Sequence, residues 1–341
     1  MLASVLIEPG RIELQEINPP EISDGEILIQ IKAALTCGTD LKAFRRGHPL
    51  MPMPTVFGHE FSGEVTEVGR EVTGFSPGDS VMAVHTAPCG VCTYCKRQLE
   101  NLCPTMMDTK VLGAYAEYLK LPVEIVQRNT FHKPDHLSFR EAAILEPLSC
   151  VVYGMESIAL QPQTTVVIIG AGAVGLLHIM VARAMGAGKI IVSGHHSFRL
   201  DLARKVGADV IIDSKRENPV SRIAAETDGL GAPLVIECTG QPTVWEQTTE
   251  MVSRGGTVIL FGGCPSGSTV TFDTSRVHYD QITLKGVFHF NPAAVKKSFD
   301  YLCNREIDVS PLISADRSLQ DLQEVFENLI MGGSIKYAII P

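Results

Sequence analysis

The stretch from Thr165 to Asp213 limits this chain more than any other part of its sequence. Thr165 to Ile169 is an apolar run of strand length. Gly170-Ala-Gly172-Ala-Val-Gly175 follows it and opens an apolar helix pattern over Ala173 to Met185. Lys189 to Ser193 is again strand-like, Phe198 to Val206 helical, and Asp209 to Asp213 strand-like. Leu234 to Cys238 and Thr257 to Phe261 supply further short apolar strands. Strands and helices alternating at this spacing imply βαβ units and a parallel sheet.

The three glycines have separate uses. Gly170 permits a tight turn, Gly172 lets a backbone approach a pyrophosphate, and Gly175 lets helix pack closely on strand, while the helix N-terminus favours phosphate charge. In this strand-to-helix setting the triplet predicts a dinucleotide site. An acid that reads the adenosine ribose is expected about 20 residues on. Gly194 stands there instead, followed by His195 and His196, with Arg199 nearby. Loss of the acid removes repulsion against a 2′-phosphate, so NADP(H) is expected over NAD(H). A solvated turn after a strand is the plain alternative.

The rest of the chain is organised differently. Ile27 to Ile31, Gly63 to Val68 and Asp79 to Val84 are short alternating runs bounded by turn residues, which reads as a β-rich domain. Beyond about Gly286 the alternation stops. The tail reads as helix over Pro292 to Leu302 and Leu319 to Ile330, with a last strand over Lys336 to Ile340. A nucleotide domain inserted into a β-rich one fits this order, with domains expected at 1–150 and 151–286 and a return to the first over 287–341. A length of 341 residues suits about two domains.

Charge and hydropathy exclude several classes of function. The net charge of −9, with no block of like charge, speaks against nucleic acid or an anionic membrane as the main partner. The longest mostly apolar stretch, Val174 to Met185, is too short to span a bilayer. Met1 to Gly10 lacks the pattern of a secretory signal, so a cytoplasmic location is expected. In a reducing compartment, clustered cysteines read as metal ligands rather than disulfides.

Two metal constellations follow from that reading. Cys89, Cys92, Cys95 and Cys103 have the spacing C-x2-C-x2-C-x7-C, which lets four thiolates converge on one ion. A closed four-thiolate zinc site is structural, and an iron–sulfur cluster is the alternative. The second set is dispersed: Cys37, then Gly58-His59-Glu60, then Glu146 in Glu146-Pro147-Leu148. Each of these has a bland explanation alone, and spacing cannot bring them together.

With these residues in view, the chain resembles the zinc-containing medium-chain dehydrogenase/reductase (alcohol dehydrogenase) family, and most of all its polyol (sorbitol) and threonine dehydrogenase branches. Gly58-His59-Glu60-x2-Gly63-x5-Gly69-x2-Val72, Cys37-Gly38-Thr39-Asp40, the four-cysteine lobe, Gly78-Asp79-x-Val81, Glu146-Pro147-Leu148 and the glycine triplet occur in family order along essentially the whole chain. The resemblance implies an α/β protein: a GroES-like β-rich catalytic domain carrying a structural zinc lobe at 89–103, and a Rossmann domain with a doubly wound parallel sheet. It implies two zinc ions per chain, a small alcohol or ketone substrate, and a homodimer or homotetramer.

Residue by residue, Cys37 and His59 match two ligands of the family's catalytic zinc. Glu60 matches a carboxylate beside or on that metal. Glu146 stands where the alcohol dehydrogenase branch has a cysteine, and the polyol and threonine branches have a carboxylate that ligates directly or through water. Thr39 matches the hydroxyl that bonds the substrate oxygen and starts a proton relay. Many relatives continue that relay through a histidine in this segment; here Lys42 or ordered water takes its place. His85 matches a substrate-cleft position, and Phe261-Gly262-Gly263 sits where relatives line the nicotinamide pocket. The implied reaction interconverts a secondary alcohol and a ketone, with a polyol, sugar acid or hydroxy-amino acid as substrate. The competing readings are a primary alcohol or aldehyde reductase, a silent zinc and nucleotide sensor, and a zinc module for interaction.

Overall fold

The computed structural model describes residues 1–49 and 51–341. They form two units, one of Met1–Ser149 with Phe290–Pro341 and one of Cys150–His289.

The first unit is built on a seven-stranded sheet. The alternating run Ile27–Leu35 lies inside it, with Ile27, Ile29 and Ile31 buried. Glu60–Val68 pairs antiparallel with one edge of this strand, and the last strand, Lys336–Ile340, pairs with its other side at Ala34 and Leu35. The chain's end is therefore built into the sheet that begins near residue 27. A smaller sheet of Arg11–Glu16, Leu2–Glu8 and Thr55–Val56 stands apart from it. Phe44, Phe57, Tyr115 and Phe326 fill the core, with Phe57 edge-on to Tyr115 at 4.8 Å between ring centres.

The second unit holds a six-stranded, wholly parallel sheet. Its order is Val210–Asp213, Ile190–Gly194, Val166–Ile169, Ala232–Glu237, Val252–Leu260 and Thr283–Gly286. Val166 to Ile169 are buried to the last residue, because helices cover both faces of such a sheet. The strand order reverses between Val166–Ile169 and Ala232–Glu237, and ligands of open α/β sheets bind in the crevice outside the carboxyl ends at that point.

Several elements differ from the sequence expectation. Ile313–Ser318 is an extra edge strand beside Lys336–Ile340. It alternates half-buried and exposed residues and has no apolar run to announce it. The helix expected over Leu319 to Ile330 opens as a 3-10 turn, Leu319–Asp321, because Ser318 and Asp321 cap each other, and the α-helix is Leu322–Ile330. The helices Pro219–Glu226 and Pro242–Met251 each carry proline at the first turn, where its missing N–H costs nothing. Among the described residues no helix is long and apolar enough to cross a membrane.

The glycine triplet shows why its residues are needed. Gly170 has φ +106°, and a Cβ on Gly175 would lie 1.8 Å from the Gly170 carbonyl oxygen. Gly172 faces open space. Gly175→Ala must therefore push the helix Ala173–Ala184 off its strand. Overpacking of this kind typically costs about 1–3 kcal/mol, so urea unfolding should show a lower midpoint with an unchanged slope.

Candidate metal and dinucleotide sites

Cys37 caps the helix Gly38–Arg46, its sulfur accepting from the Thr39 backbone N–H at 3.4 Å. A thiolate is favoured at a helix N-terminus. His59 precedes the strand Glu60–Val68, and the ligating atoms of Cys37, His59 and Glu60 all lie within 4.8 Å of one another. Sequence spacing alone could not establish that meeting. The fold also supplies a partner that the motif does not reveal. His59 Nδ1 donates to Asp40 Oδ1 at 3.1 Å, and the Tyr115 hydroxyl lies 2.9 Å from Asp40 Oδ2. With Nδ1 committed, Nε2 is the nitrogen left for an ion. Burial works against a charge on His59, but Asp40 and Cys37 outweigh it and hold its pKa well above the ordinary imidazole value.

Glu60 is within reach of Cys37 and His59 but is otherwise engaged. Lys336, on the last strand, places its ammonium 2.7 and 2.5 Å from the two Glu60 oxygens and 2.8 Å from the Thr36 carbonyl oxygen. Both side chains are buried. Burial alone would push the Lys336 pKa down; the Glu60 charge outweighs it and the pKa stands above the ordinary lysine value. Glu146, in the first turn of the helix Leu145–Glu156, is not part of the Cys37 group. Its Oε1 lies 3.5 Å from His85 Nδ1, and the His85 ring is 4.9 Å from the His59 ring.

Thr39 is half-buried and Lys42 exposed, three residues apart on one helix. His48, just past that helix, lies close enough to Lys42, Asp40 and His59 for their charges to act on it, while burial and then Lys42 lower its pKa. Lys336, Asp40 and His48 were missed by sequence reasoning. Asp40 alone carried a signal, as the acid of the Cys37-Gly38-Thr39-Asp40 run.

The cysteine lobe brings Cys89, Cys92, Cys95 and Cys103 within 4.8 Å of one another, and none is in a disulfide. The Cys92–Cys95 and Cys89–Cys95 sulfurs are 3.5 and 4.0 Å apart. A tetrahedron with Zn–S bonds of about 2.3 Å has edges of about 3.8 Å, so the donor set fits a closed zinc site. Backbone N–H groups of Val91 and Cys92 pull the Cys89 thiol down to about 6, whereas burial pushes Cys95 up to about 12.

In the second unit, Gly170, Gly172, Gly194, His195, His196 and Arg199 line one cavity of about 430 Å³, together with Ser214, Cys238, Thr239 and Gln241. Phe261 and Gly262 are not among its lining residues. Phe261 stands edge-on to His178 at 4.8 Å, and the Gly262 N–H donates to the Glu237 carbonyl. A Cβ on Gly194 would meet Ala171 Cβ and Leu200 Cδ2 at 3.1 Å, so packing as well as recognition favours glycine there.

Asp40→Ala should loosen His59 without touching a ligand atom. Loss of such a partner typically weakens metal affinity about 10–100-fold. Competitive titration with a chromophoric chelator checks this, and an unchanged zinc affinity would remove Asp40 from the site.

Two family models match the chain: the alcohol dehydrogenase GroES-like domain over residues 23–131 and the zinc-binding dehydrogenase domain over residues 173–303. The sorbitol dehydrogenase of Bacillus subtilis strain 168 is 31% identical over 336 residues, covering 97% of this chain and 94% of that enzyme. The L-threonine 3-dehydrogenase of Bacillus licheniformis is 32% identical over 346 residues, covering 98% and 96%. A zinc-binding dehydrogenase of Sinorhizobium meliloti 1021, solved with NADP bound, superposes with a TM-score of 0.91 at 29% identity, covering 100% of this chain and 99% of that one. With both halves matched and relatives aligned from end to end, the chain belongs to the zinc-binding, alcohol-dehydrogenase-type family of dehydrogenases.

Proposed function

We propose that this dehydrogenase interconverts a secondary alcohol and a ketone with NADP(H), holding one zinc at Cys37 and His59 and a second in the cysteine lobe. The observation that carries the reading is the Cys37–His59 pair with Asp40 behind it. One thiolate and one oriented imidazole are fixed, Glu146 stands close by, and Glu60 is neutralised. Such a set leaves room for a substrate oxygen, as a catalytic zinc site requires.

Zinc bound there supplies Lewis acidity that lowers the pKa of an alcohol oxygen. The chain's own residues do the rest. Asp40 fixes the His59 ring. The Thr39 hydroxyl takes the alcohol proton and hands it toward solvent past Lys42 and His48. A bound nicotinamide would supply the hydride acceptor, and alcohol plus oxidised cofactor going to ketone, reduced cofactor and one proton balances. Lys336 matters for charge. Cys37 and Glu146 as anions balance a divalent ion; an unpaired Glu60 would add a further negative charge and weaken the pull on the substrate oxygen.

A polyol, sugar acid or hydroxy-amino acid is the proposed substrate class. Support comes from the polyol and threonine dehydrogenase relatives and from the polar side chains Thr39, His85 and Glu146 around the metal group. The nine free cysteines suit a reducing compartment such as the cytoplasm. For the cofactor, no acid lines the cavity beside Gly194. His195, Arg199 and Lys215 are near enough to His196 to depress its pKa, though burial acts first. A 2′-phosphate would find cations and no anion. Asp213, level with Gly194 on the next strand, is already engaged by the Lys215 N–H and Arg216.

Oxidation of a polyol, sugar-acid and amino-alcohol panel with both cofactors tests the activity directly; no turnover of any member would sink it. For the metals, we expect two zincs of different lability. Brief chelation should remove the Cys37 zinc and activity together while the lobe keeps its ion and the fold persists. One zinc in fully loaded protein would refute this.

For the cofactor, native kcat/KM should favour NADP(H). A charge-assisted hydrogen bond is worth roughly 1.5–3 kcal/mol, so Arg199→Gln should cost about tenfold or more with NADP(H) and little with NAD(H). A native preference for NAD(H) would overturn it.

A further inference from the structure

The catalytic reading leaves one fully buried carboxylate unused. Glu237 ends the strand Ala232–Glu237 at the reversal of strand order, and it is 0% exposed. Among the described residues it makes no ion pair. Its oxygens instead accept from the Thr239 N–H at 2.6 Å, the Thr239 hydroxyl, the Gly240 N–H at 3.1 Å and Trp245 Nε1 at 2.9 Å. The same indole N–H lies 3.0 Å from the Gly262 carbonyl oxygen, while the Glu237 carbonyl accepts from Phe261 N and Gly262 N. Through its carboxylate, its backbone carbonyl and the Trp245 indole, Glu237 thus ties the loop after its own strand to the loop after the next.

The contact between these loops leaves no slack. A Cβ on Gly262 would fall 2.3 Å from Gly240 N and 2.7 Å from Glu237 Oε2. The first loop, through Cys238, Thr239 and Gln241, walls the cavity beside the glycine turn, where a Cβ on Gly170 would fall 2.9 Å from Thr239 Cγ2. Three of the four donors are N–H groups that cannot reverse their role, so only a pure acceptor satisfies them. Burial raises the Glu237 pKa and these donors oppose the rise.

We propose that Glu237, with Trp245, is a positioning residue for the dinucleotide: the carboxylate fixes the cavity wall formed by residues 238–241 at the distance the cofactor requires. The proposal rests on the dinucleotide reading of that cavity. Because Trp245 is the only tryptophan in the chain, its emission reports on this one network.

The test uses the zinc-loaded protein and NADPH. Glu237→Gln keeps the size but turns an amide N–H₂ toward N–H donors. We expect its NADPH Kd, read by quenching of Trp245 emission and by calorimetry, to rise at least tenfold. The KM for the alcohol should move less than twofold, and the emission maximum of the free protein should shift. Trp245→Phe, read by calorimetry, should raise the Kd at least threefold. It also decides the matter if Glu237→Gln does not fold. A purely structural role would lower Tm and leave both cofactor constants within twofold of native, and that result overturns the proposal. A native protein that binds neither NADP(H) nor NAD(H) would instead sink the dinucleotide reading beneath it.

Discussion

The ion pair between Lys336 and Glu60 couples the chain's last strand to its metal group. Both charges are buried, and the single Lys336 ammonium bonds both Glu60 oxygens. Removing one partner of such a pair generally costs about 3–5 kcal/mol, because the remaining charge is stranded out of water. Here the cost falls on a place where other things are held. Lys336 also fixes the Thr36 carbonyl next to Cys37, and Glu60 follows His59 directly. The return of residues 290–341 to the first unit is therefore more than an economy of topology. It brings a buried cation to Glu60, whose carboxylate stands within 4.8 Å of the Cys37 and His59 ligating atoms.

Among the described residues four carboxylates are buried, Asp40, Glu60, Glu146 and Glu237, and three of them are held in three different ways. Glu60 is matched by a cation and so contributes no net charge near the metal. Asp40 is held by a histidine N–H with a tyrosine hydroxyl beside it, so it steers a ligand without competing for the ion. Glu237 has neutral donors only, which fix geometry tightly but leave the burial of charge uncompensated. Neutral partners suffice there because the site must position backbone rather than balance a divalent ion.

What the sequence disclosed follows the range of each interaction. Thr165 to Ile169, the glycine triplet and the helix after it are local patterns, and the strand Val166–Ile169 with the helix Ala173–Ala184 appears within a residue or two of expectation. The cysteine lobe is also local, its four thiols falling within 15 residues, and they converge. The Cys37–His59 pair was legible only as fragments, since tertiary structure brings the two together, and Glu146 stands beside His85 rather than in that group. Lys336 was not legible at all. It stands in the run Lys336–Ile340, where one basic residue at a strand start reads as an ordinary solvated end. Ile313–Ser318 escaped notice for a related reason: an edge strand with one wet face has little apolar signature.

The same distinction separates family from specificity. The glycine triplet, the cysteine lobe and the Cys37–His59 pair are features of the family's architecture, and function within a fold is set by the particular residues of the site. Specificity rests on residues without a motif. Gly194 illustrates this: an acid there would change the charge offered to the ribose, but its Cβ would also press on Ala171 and Leu200. A change of cofactor preference at this position therefore requires Leu200 to yield as well as the charge to change. His195, His196 and Arg199 line the same cavity, the two histidine rings 4.3 Å apart and Arg199 half-buried, so changes there also act on packed side chains.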